Sequence, residues 1–158
     1  MSTVSNEKHA ELLTAVTVAA RRHYVAYTLF NQALAHRLGL HPTDLQCLGL
    51  LELEAEPLST GEIAKLIGLT SGSATRLVDR LEKAGFIERI PDPQDRRKAL
   101  VSLATRRKAE VDAAWDEPGD AFADVLAGFS AEELAVIEQY LRRTAEVGTE
   151  QAERLSKR

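Results

Sequence analysis

Apolar residues recur at helical spacing along most of this chain, and long uninterrupted segments stand near both ends. The segment Lys8–Leu38 contains neither Gly nor Pro, and Gly39 follows it as a stop signal, so one long N-terminal helix is predicted. Near the other end, Ser130 and Glu133 have the spacing of a capping box and predict the start of a C-terminal helix.

Residues 105–128 have a helical pattern that is interrupted in its middle. Pro118 is followed by Gly119, and a proline inside a helix removes one hydrogen bond and clashes with the preceding turn. We therefore expect either a kinked helix or two helices that join near Asp116 or Glu117, and the sequence does not decide between them.

Two shorter helices are predicted between these segments, in the arrangement of a helix-turn-helix. The first, Leu58–Ile67, carries the capping-box pair Ser59 and Glu62 and ends at Gly68, which tolerates a positive φ. Its predicted apolar stripe consists of Ile63, Leu66 and Ile67. The second spans Ser71–Ala84, and its predicted buried residues are Ala74, Leu77, Val78 and Leu81.

A β-hairpin is predicted directly after this pair of helices. Phe86–Ile90 alternates as a half-buried strand does, and Ala99–Leu103 is the expected returning strand. Between them, Pro91–Arg97 is rich in turn residues, and its prolines cannot continue a helix. The hairpin is therefore expected to expose Arg96 and Arg97 at its tip.

The exposed faces of these elements carry the chemistry of a DNA-binding surface. Hydroxyls and arginines bond bases or phosphates, and small residues let the helix backbone approach base edges closely. The predicted DNA-contacting residues are Ser71, Ser73, Thr75, Arg76, Arg80, Arg96 and Arg97. We expect Arg76 to contact a base and Arg80 a phosphate. At the hairpin tip, an arginine can enter a narrow minor groove, and Asp95 can organise the loop by holding a guanidinium in a bidentate pair.

The predicted winged helix resembles that of a known family. Residues 73–89, followed by Asp92–Arg97, are similar to the corresponding motif of the MarR family of bacterial transcription regulators. The resemblance implies a mainly α fold with a small β-wing and a second helix that begins at Pro42. It also places the family's minor-groove arginine on Arg97. The chain departs from the family pattern at His41, where a capping Thr is usual, and at residues 103–107, where the family often has L-T-x-x-G.

The charge distribution favours DNA as a partner, although the whole chain has a net charge of −4. Residues 59–107 carry ten Lys or Arg against six Asp or Glu, a net charge of +4, whereas the rest of the chain carries ten against eighteen. Screening over about 8–10 Å keeps distant acidic residues from cancelling that local charge. Positive charge collected at the winged helix favours a site-specific DNA binder.

Composition and motifs limit the remaining function classes. No apolar run approaches the roughly 20 residues of a membrane span, and the first residues lack the plan of a signal peptide. A single cysteine suits a reducing compartment, so a cytoplasmic location without membrane association is predicted. No catalytic constellation or cofactor motif is present, and the four histidines include no i, i+4 pair. We therefore expect no enzyme activity, no cofactor and no metal.

The terminal helices predict a two-fold homodimer, because too little other chain is available to cover their apolar faces. The expected organisation is a dimerisation helix over residues 1–38, a winged helix-turn-helix over 42–103, and C-terminal dimerisation helices over 105–158. The expected function is a repressor of a pseudo-palindromic double-stranded DNA operator, relieved by a small molecule or another signal. The alternative is a winged-helix module that binds a protein, but such a surface more often presents apolar anchors.

Two further hypotheses concern the signal. His23, Tyr24 and Tyr27 are candidates for a pocket between the dimer arms and the DNA-binding lobe, where the resemblance implies a small aromatic or phenolic ligand. The alternative is that both tyrosines are packing residues whose hydroxyls lie at an edge. Cys47 lies on an apolar helix face, where a thiol usually behaves as a small hydrophobe and not as a redox sensor.

Overall fold

The computed structural model describes the backbone of residues 2–95 and 98–156 and, among these, the side chains from residue 6 onward. In chain order its elements are α1 (Ser2–Arg37), α2 (Pro42–Leu53), β1 (Leu58–Ser59), α3 (Thr60–Ile67), α4 (Ser71–Ala84), β2 (Ile87–Pro91), β3 (Ala99–Leu103), a 3₁₀ turn (Thr105–Arg107), α5 (Lys108–Ala127) and α6 (Ala131–Ser156). The mainly α fold with a small β-wing is confirmed.

The sheet is antiparallel, with its three strands in the order β1-β3-β2. The predicted hairpin is present, and its register places Ile87 opposite Leu103 and Pro91 opposite Ala99. The returning strand has the predicted bounds. The first strand begins and ends one residue later than expected.

Strand β1 was not predicted, and the expectation that the helix begins at Leu58 is wrong. Leu58 pairs with Val101 of β3, and α3 begins at Thr60. Ser59 has the extended backbone of an N-cap residue, so the helix cannot include Leu58, and the pairing with β3 makes Leu58 a strand residue. Two residues are too few for the sequence to show alternation.

Apart from the start of α3, the predicted helix boundaries in the winged helix are confirmed, and caps mark them. The Glu62 N–H donates to Ser59 Oγ at 3.2 Å, and the Ser59 N–H donates to the Glu62 carboxylate at 2.7 Å. The hydroxyl of Thr70 accepts from a backbone N–H in the first turn of α4 at 3.3 Å. Gly68 and Gly85 end α3 and α4 with φ of 75° and 79°, left-handed values that favour glycine.

The main core lies where α2, α3 and α4 pack on the sheet. Its buried members are Cys47, Leu48, Leu51, Leu58, Ile63, Leu77, Val78, Leu81, Phe86, Ile87 and Val101. All four residues predicted to be buried on α4 are buried. The predicted stripe on α3 is wrong at Leu66, which is 51% exposed. At about 100° per residue, Leu66 lies roughly 110° from the direction shared by Ile63, Ala64 and Ile67, so it falls at the edge of the packed face.

The C-terminal end of α1 packs in a second, smaller cluster. Its buried residues are Leu34, Leu38 and Ala114, and Phe30, Leu40 and Leu45 pack against them. This cluster joins the ends of α1 and α2 to the first part of α5. The remaining described length of α1 is largely exposed.

The chain divides between Ala114 and Trp115 into two compact units. The first contains α1 to α4 and the sheet, and the second contains the rest of α5 and all of α6. Of the two alternatives around Pro118, that of two separate helices is wrong, because α5 continues through that proline from Lys108 to Ala127. One proline removes only one of the helix's hydrogen bonds, and those before and after it remain. A kink there stays a prediction.

Candidate nucleic-acid interface

Helix α4 combines a buried face with a polar, exposed one, as a recognition helix requires. Its apolar residues face the core, while Ser71, Thr75, Arg76 and Arg80 are exposed and Ser73 is half-buried. The structure thus places all five predicted α4 residues on one accessible helix.

The hydroxyl groups and Arg76 meet in the first turn of α4. Ser73 Oγ accepts from the Thr70 hydroxyl at 2.9 Å and from Arg76 Nη2 at 3.2 Å. The Thr75 hydroxyl donates to the carbonyl of Ser71 at 2.9 Å, so its oxygen keeps lone pairs that can accept a further bond. The bond to Ser73 folds the Arg76 side chain back toward the N-terminus of α4. At that end of the helix, the backbone amides and the helix dipole favour an anion.

Arg80 makes a contact that the sequence analysis missed. Its Nε donates to Asp44 Oδ2 at 3.0 Å and its Nη2 donates to Asp44 Oδ1 at 2.5 Å. The Asp44 side chain is fully buried at the start of α2, where it also accepts from the backbone N–H of His41 at 3.2 Å. The hydrogen bond to Asp44 raises the pKa of Arg80. The only sequence signal was an aspartate in the first turn of a largely apolar helix.

Two other arginines bond within the protein. Arg89 of β2 pairs with Asp79 at 2.6 Å and also with Glu82, which ties the wing to α4, and the hydrogen bond to Asp79 raises the pKa of Arg89. Arg107 lies 4.0 Å from the centre of the Phe86 ring and donates to the carbonyl of Ala84 at 3.2 Å. Part of the positive charge counted in the sequence is therefore used to hold α4 against the wing.

The turn of the wing is organised by Asp92. Its carboxylate accepts from the backbone N–H of Gln94 at 2.7 Å and of Asp95 at 3.3 Å. Its own N–H donates to the carbonyl of Lys98 at 3.1 Å, and the Lys98 N–H donates to the carbonyl of Asp95 at 2.8 Å. The sequence analysis did not single out Asp92, although an Asp followed by Pro is a turn signal.

The residues assigned to the tip, Arg96 and Arg97, lie outside the described residues. The predicted minor-groove contact and the pairing of a tip guanidinium with Asp95 therefore stay predictions. Among described groups, the Asp95 carboxylate lies 3.9 Å from the ammonium of Lys98.

Of the three residues proposed for a ligand pocket, two come together on α1. The rings of His23 and Tyr27 have centroids 5.8 Å apart, and the ring of Tyr27 lies 6.0 Å from that of Phe30. Tyr24 is 73% exposed. These residues form at most one wall of a pocket on this chain.

Cys47 is fully buried in the main core. Burial, with a further contribution from the charge of Asp44, raises the pKa of the Cys47 thiol to about 11. A protonated, enclosed thiol suits a packing role. Within the described residues, no three His, Cys, Asp or Glu side chains group as metal ligands would, and no helix is long and apolar enough to cross a membrane.

Comparison with known proteins identifies the family. The family model described as MarR family matches residues 40–99, from just before α2 to the first residue of β3. The HTH-type transcriptional regulator YcgE of Bacillus subtilis is 40% identical over 127 residues, which cover 80% of this chain and 82% of YcgE. The chain belongs to the MarR family. It is a transcriptional regulator with a helix-turn-helix DNA-binding fold.

More distant MarR-family proteins agree with this assignment. The multiple antibiotic resistance protein MarR of Salmonella typhimurium is 34% identical over 83 residues, which cover 52% of this chain and 58% of that protein. The crystal structure of the regulator Tm0710 of Thermotoga maritima matches with a TM-score of 0.61 and 26% identity, covering 85% of this chain and 94% of Tm0710. A MepR mutant of S. aureus, solved with an oligodeoxyribonucleotide, shares the fold at 21% identity and a TM-score of 0.57, over 84% of this chain and 96% of MepR.

Proposed function

We propose that this MarR-family regulator binds a pseudo-palindromic DNA operator as a homodimer and represses transcription until a small molecule or another signal releases it. The observation that carries the proposal is the exposed N-terminal turn of α4, where Arg76 and three hydroxyl-bearing residues lie together over a firmly buried opposite face. This arrangement suits insertion into a major groove. We propose that the protein is located in the cytoplasm, since that is where such a regulator meets its operator.

The wing supplies the second part of the proposed interface. Its base is tied to α4 by Arg89, and its turn is held by the backbone bonds of Asp92. We propose that this wing carries Arg97 into the minor groove while Arg96 stays nearer the phosphates. We propose Asp95 as the residue that organises these two side chains.

The proposed two-fold dimer is supported by the exposed apolar surface near the two ends of the chain. Its members, each at least 49% exposed, include Leu12, Leu13, Val16, Leu29, Val125, Val136, Leu141 and Val147. Burial of apolar area is worth roughly 25 cal/mol per Å², which favours association of such helices. Two copies of α4 then face half-sites about 10 base pairs apart.

One candidate for the release signal is a small molecule that binds at α1. His23 and Tyr27 supply an aromatic surface on α1 that suits a small aromatic or phenolic ligand, provided that other elements complete the pocket. The alternative function, a protein-interaction module, lacks support on α4, whose exposed face is polar and basic without large apolar anchors.

The test is selection of bound fragments from the source genome by the purified protein. The proposal predicts enrichment of fragments that share an inverted repeat with half-sites about one helical turn apart. Recovery of fragments without a common motif would contradict it.

Two wing variants test the minor-groove contact on the selected operator. Arg97→Ala is expected to weaken binding without changing the unfolding temperature, because an exposed tip buries little. Asp95→Ala is expected to weaken binding too, although loss of a negative charge near DNA would by itself strengthen it. Tighter binding by Asp95→Ala would remove the organising role, and unchanged binding by Arg97→Ala would remove the contact.

A further inference from the structure

The ion pair between the buried Asp44 and the exposed Arg80 links the core to the exposed face of the recognition helix. The Arg80 side chain is 44% exposed, whereas that of Asp44 has no exposure at all. Nε and Nη2 lie on one edge of the guanidinium, and both are bonded to the carboxylate. Within the described part of the chain, the remaining nitrogen, Nη1, has no hydrogen-bond partner. The two bonds to Asp44 therefore set the direction in which the Nη1 donor points.

Asp44 is itself held in place by a backbone hydrogen bond and by the packing of α2. It accepts the His41 N–H in the first turn of α2, and α2 is anchored by Cys47, Leu48 and Leu51 in the main core. An arginine on a helix surface normally samples many rotamers, and fixing it costs entropy when it binds a partner. Here the core fixes the guanidinium before any partner is bound.

We infer that Asp44 is a positioning residue for DNA recognition, which holds Arg80 so that one fixed donor contacts a phosphate and sets the register of α4 in the groove. The inference rests on the proposed function and deepens it. Phosphate contacts fix the orientation of a recognition helix without distinguishing bases. A rigid contact of this kind lets Arg76 meet the correct base edge, so discrimination between operators depends on a carboxylate that never touches DNA.

The test compares affinity for the selected operator with affinity for a scrambled duplex of equal length at matched salt. Asp44→Asn keeps the shape of the side chain but removes its charge. We expect the ratio of the two affinities to fall about tenfold, as for loss of one specifying contact. Affinity for the scrambled duplex should be kept or should rise, because the released guanidinium adds a mobile positive charge. A purely structural role would lower both affinities by the same factor, and an unchanged ratio overturns the inference.

Arg80→Lys gives an independent measurement with the charge retained. A lysine ammonium cannot form the two-bonded pair, so the ratio should again fall while affinity for the scrambled duplex is kept. If Asp44 acts through Arg80, the double variant should lose no more discrimination than Arg80→Lys alone. Additive losses would show that Asp44 acts by another route. Circular dichroism at the assay temperature identifies any variant that is not folded. If one single variant is unfolded, the affinity ratio of the other single variant tests the inference.

Asp112→Asn is the matched control, because it also removes one aspartate charge. Its carboxylate pairs with Lys108 at 2.8 Å in an exposed position. We expect both affinities to change equally, so that the ratio stays as in the wild type. A wild-type protein without preference for any selected duplex would instead refute the proposed function. A wild-type preference that Asp44→Asn and Arg80→Lys both retain refutes only the role of Asp44.

Discussion

At the scale of single residues, the arginines of the winged helix have two different tasks. Arg89 and Arg107 bond groups inside the protein and hold α4 in place. Arg80 bonds the core through one edge of its guanidinium and leaves the other edge toward solvent. Arg76 contacts a neutral hydroxyl of its own helix turn. The positive charge of a segment therefore overstates what is available to DNA.

Arg76→Ala is expected to cost operator binding roughly 1–3 kcal/mol and to relax preference at one base position. The reason is that Arg76 is exposed in the N-terminal half of α4 and engages no acidic group among the described residues. A competition titration against an operator library measures both effects. Uniform weakening across the library would assign Arg76 to a phosphate instead.

The Cys47 thiol should lower stability at alkaline pH. Its pKa in the folded protein is about 11, above the value of 9.0 that an unburied thiol has, so the unfolded chain loses this proton first as pH rises. Stability is then lost progressively between about pH 9 and pH 11. Urea unfolding of the wild type and Cys47→Ala across that range isolates this group. If the free energy of unfolding changes with pH in the same way in both proteins, the raised pKa of Cys47 is contradicted.

Residue patterns predicted local partners well and distant partners poorly. The Ser59–Glu62 capping box follows from a spacing of three residues, and it is present. The Asp44–Arg80 pair joins positions 36 residues apart, and no local pattern carries that information. Its existence depends on how α2 packs against α4, which is a property of the tertiary fold.

At the scale of elements, the order and most boundaries of helices and strands follow from the sequence. Helix stops at Gly68 and Gly85 coincide with left-handed backbone, and the start of α6 coincides with the Ser130–Glu133 capping box. The errors occurred where neighbouring structure decides. Strand β1 exists because β3 offers it a partner, and α5 continues through Pro118 despite the lost bond.

The cap of α3 gives a prediction at this scale. Ser59→Ala removes the acceptor for the Glu62 N–H and should lower the free energy of unfolding by about 1 kcal/mol. Chemical denaturation of the purified protein measures this change. Thr149→Ala is the control, since its hydroxyl bonds a carbonyl within the exposed face of α6 and caps no helix. Equal effects of the two variants would show that the cap contributes nothing particular.

At the scale of the whole molecule, the exposed apolar residues of α1 and α6 favour packing against a second copy of the chain. We predict a dimer at micromolar concentration by light scattering. Leu141→Glu should shift it toward monomer, because it places a charge among exposed apolar side chains, whereas Glu150→Gln at another exposed position of α6 should not. A folded monomeric wild type would contradict the prediction.

The most direct test of site-specific recognition is a fluorescence titration of the selected operator and of its scrambled counterpart with the wild-type protein at physiological salt. The proposed function predicts operator binding at least about a thousandfold tighter, the usual margin of specific over non-specific complexes. Removal of the Arg76 guanidinium should lower the ratio of operator affinity to affinity for the scrambled duplex. Equal affinities for the two duplexes, with the protein folded and dimeric, would contradict site-specific recognition by the winged helix.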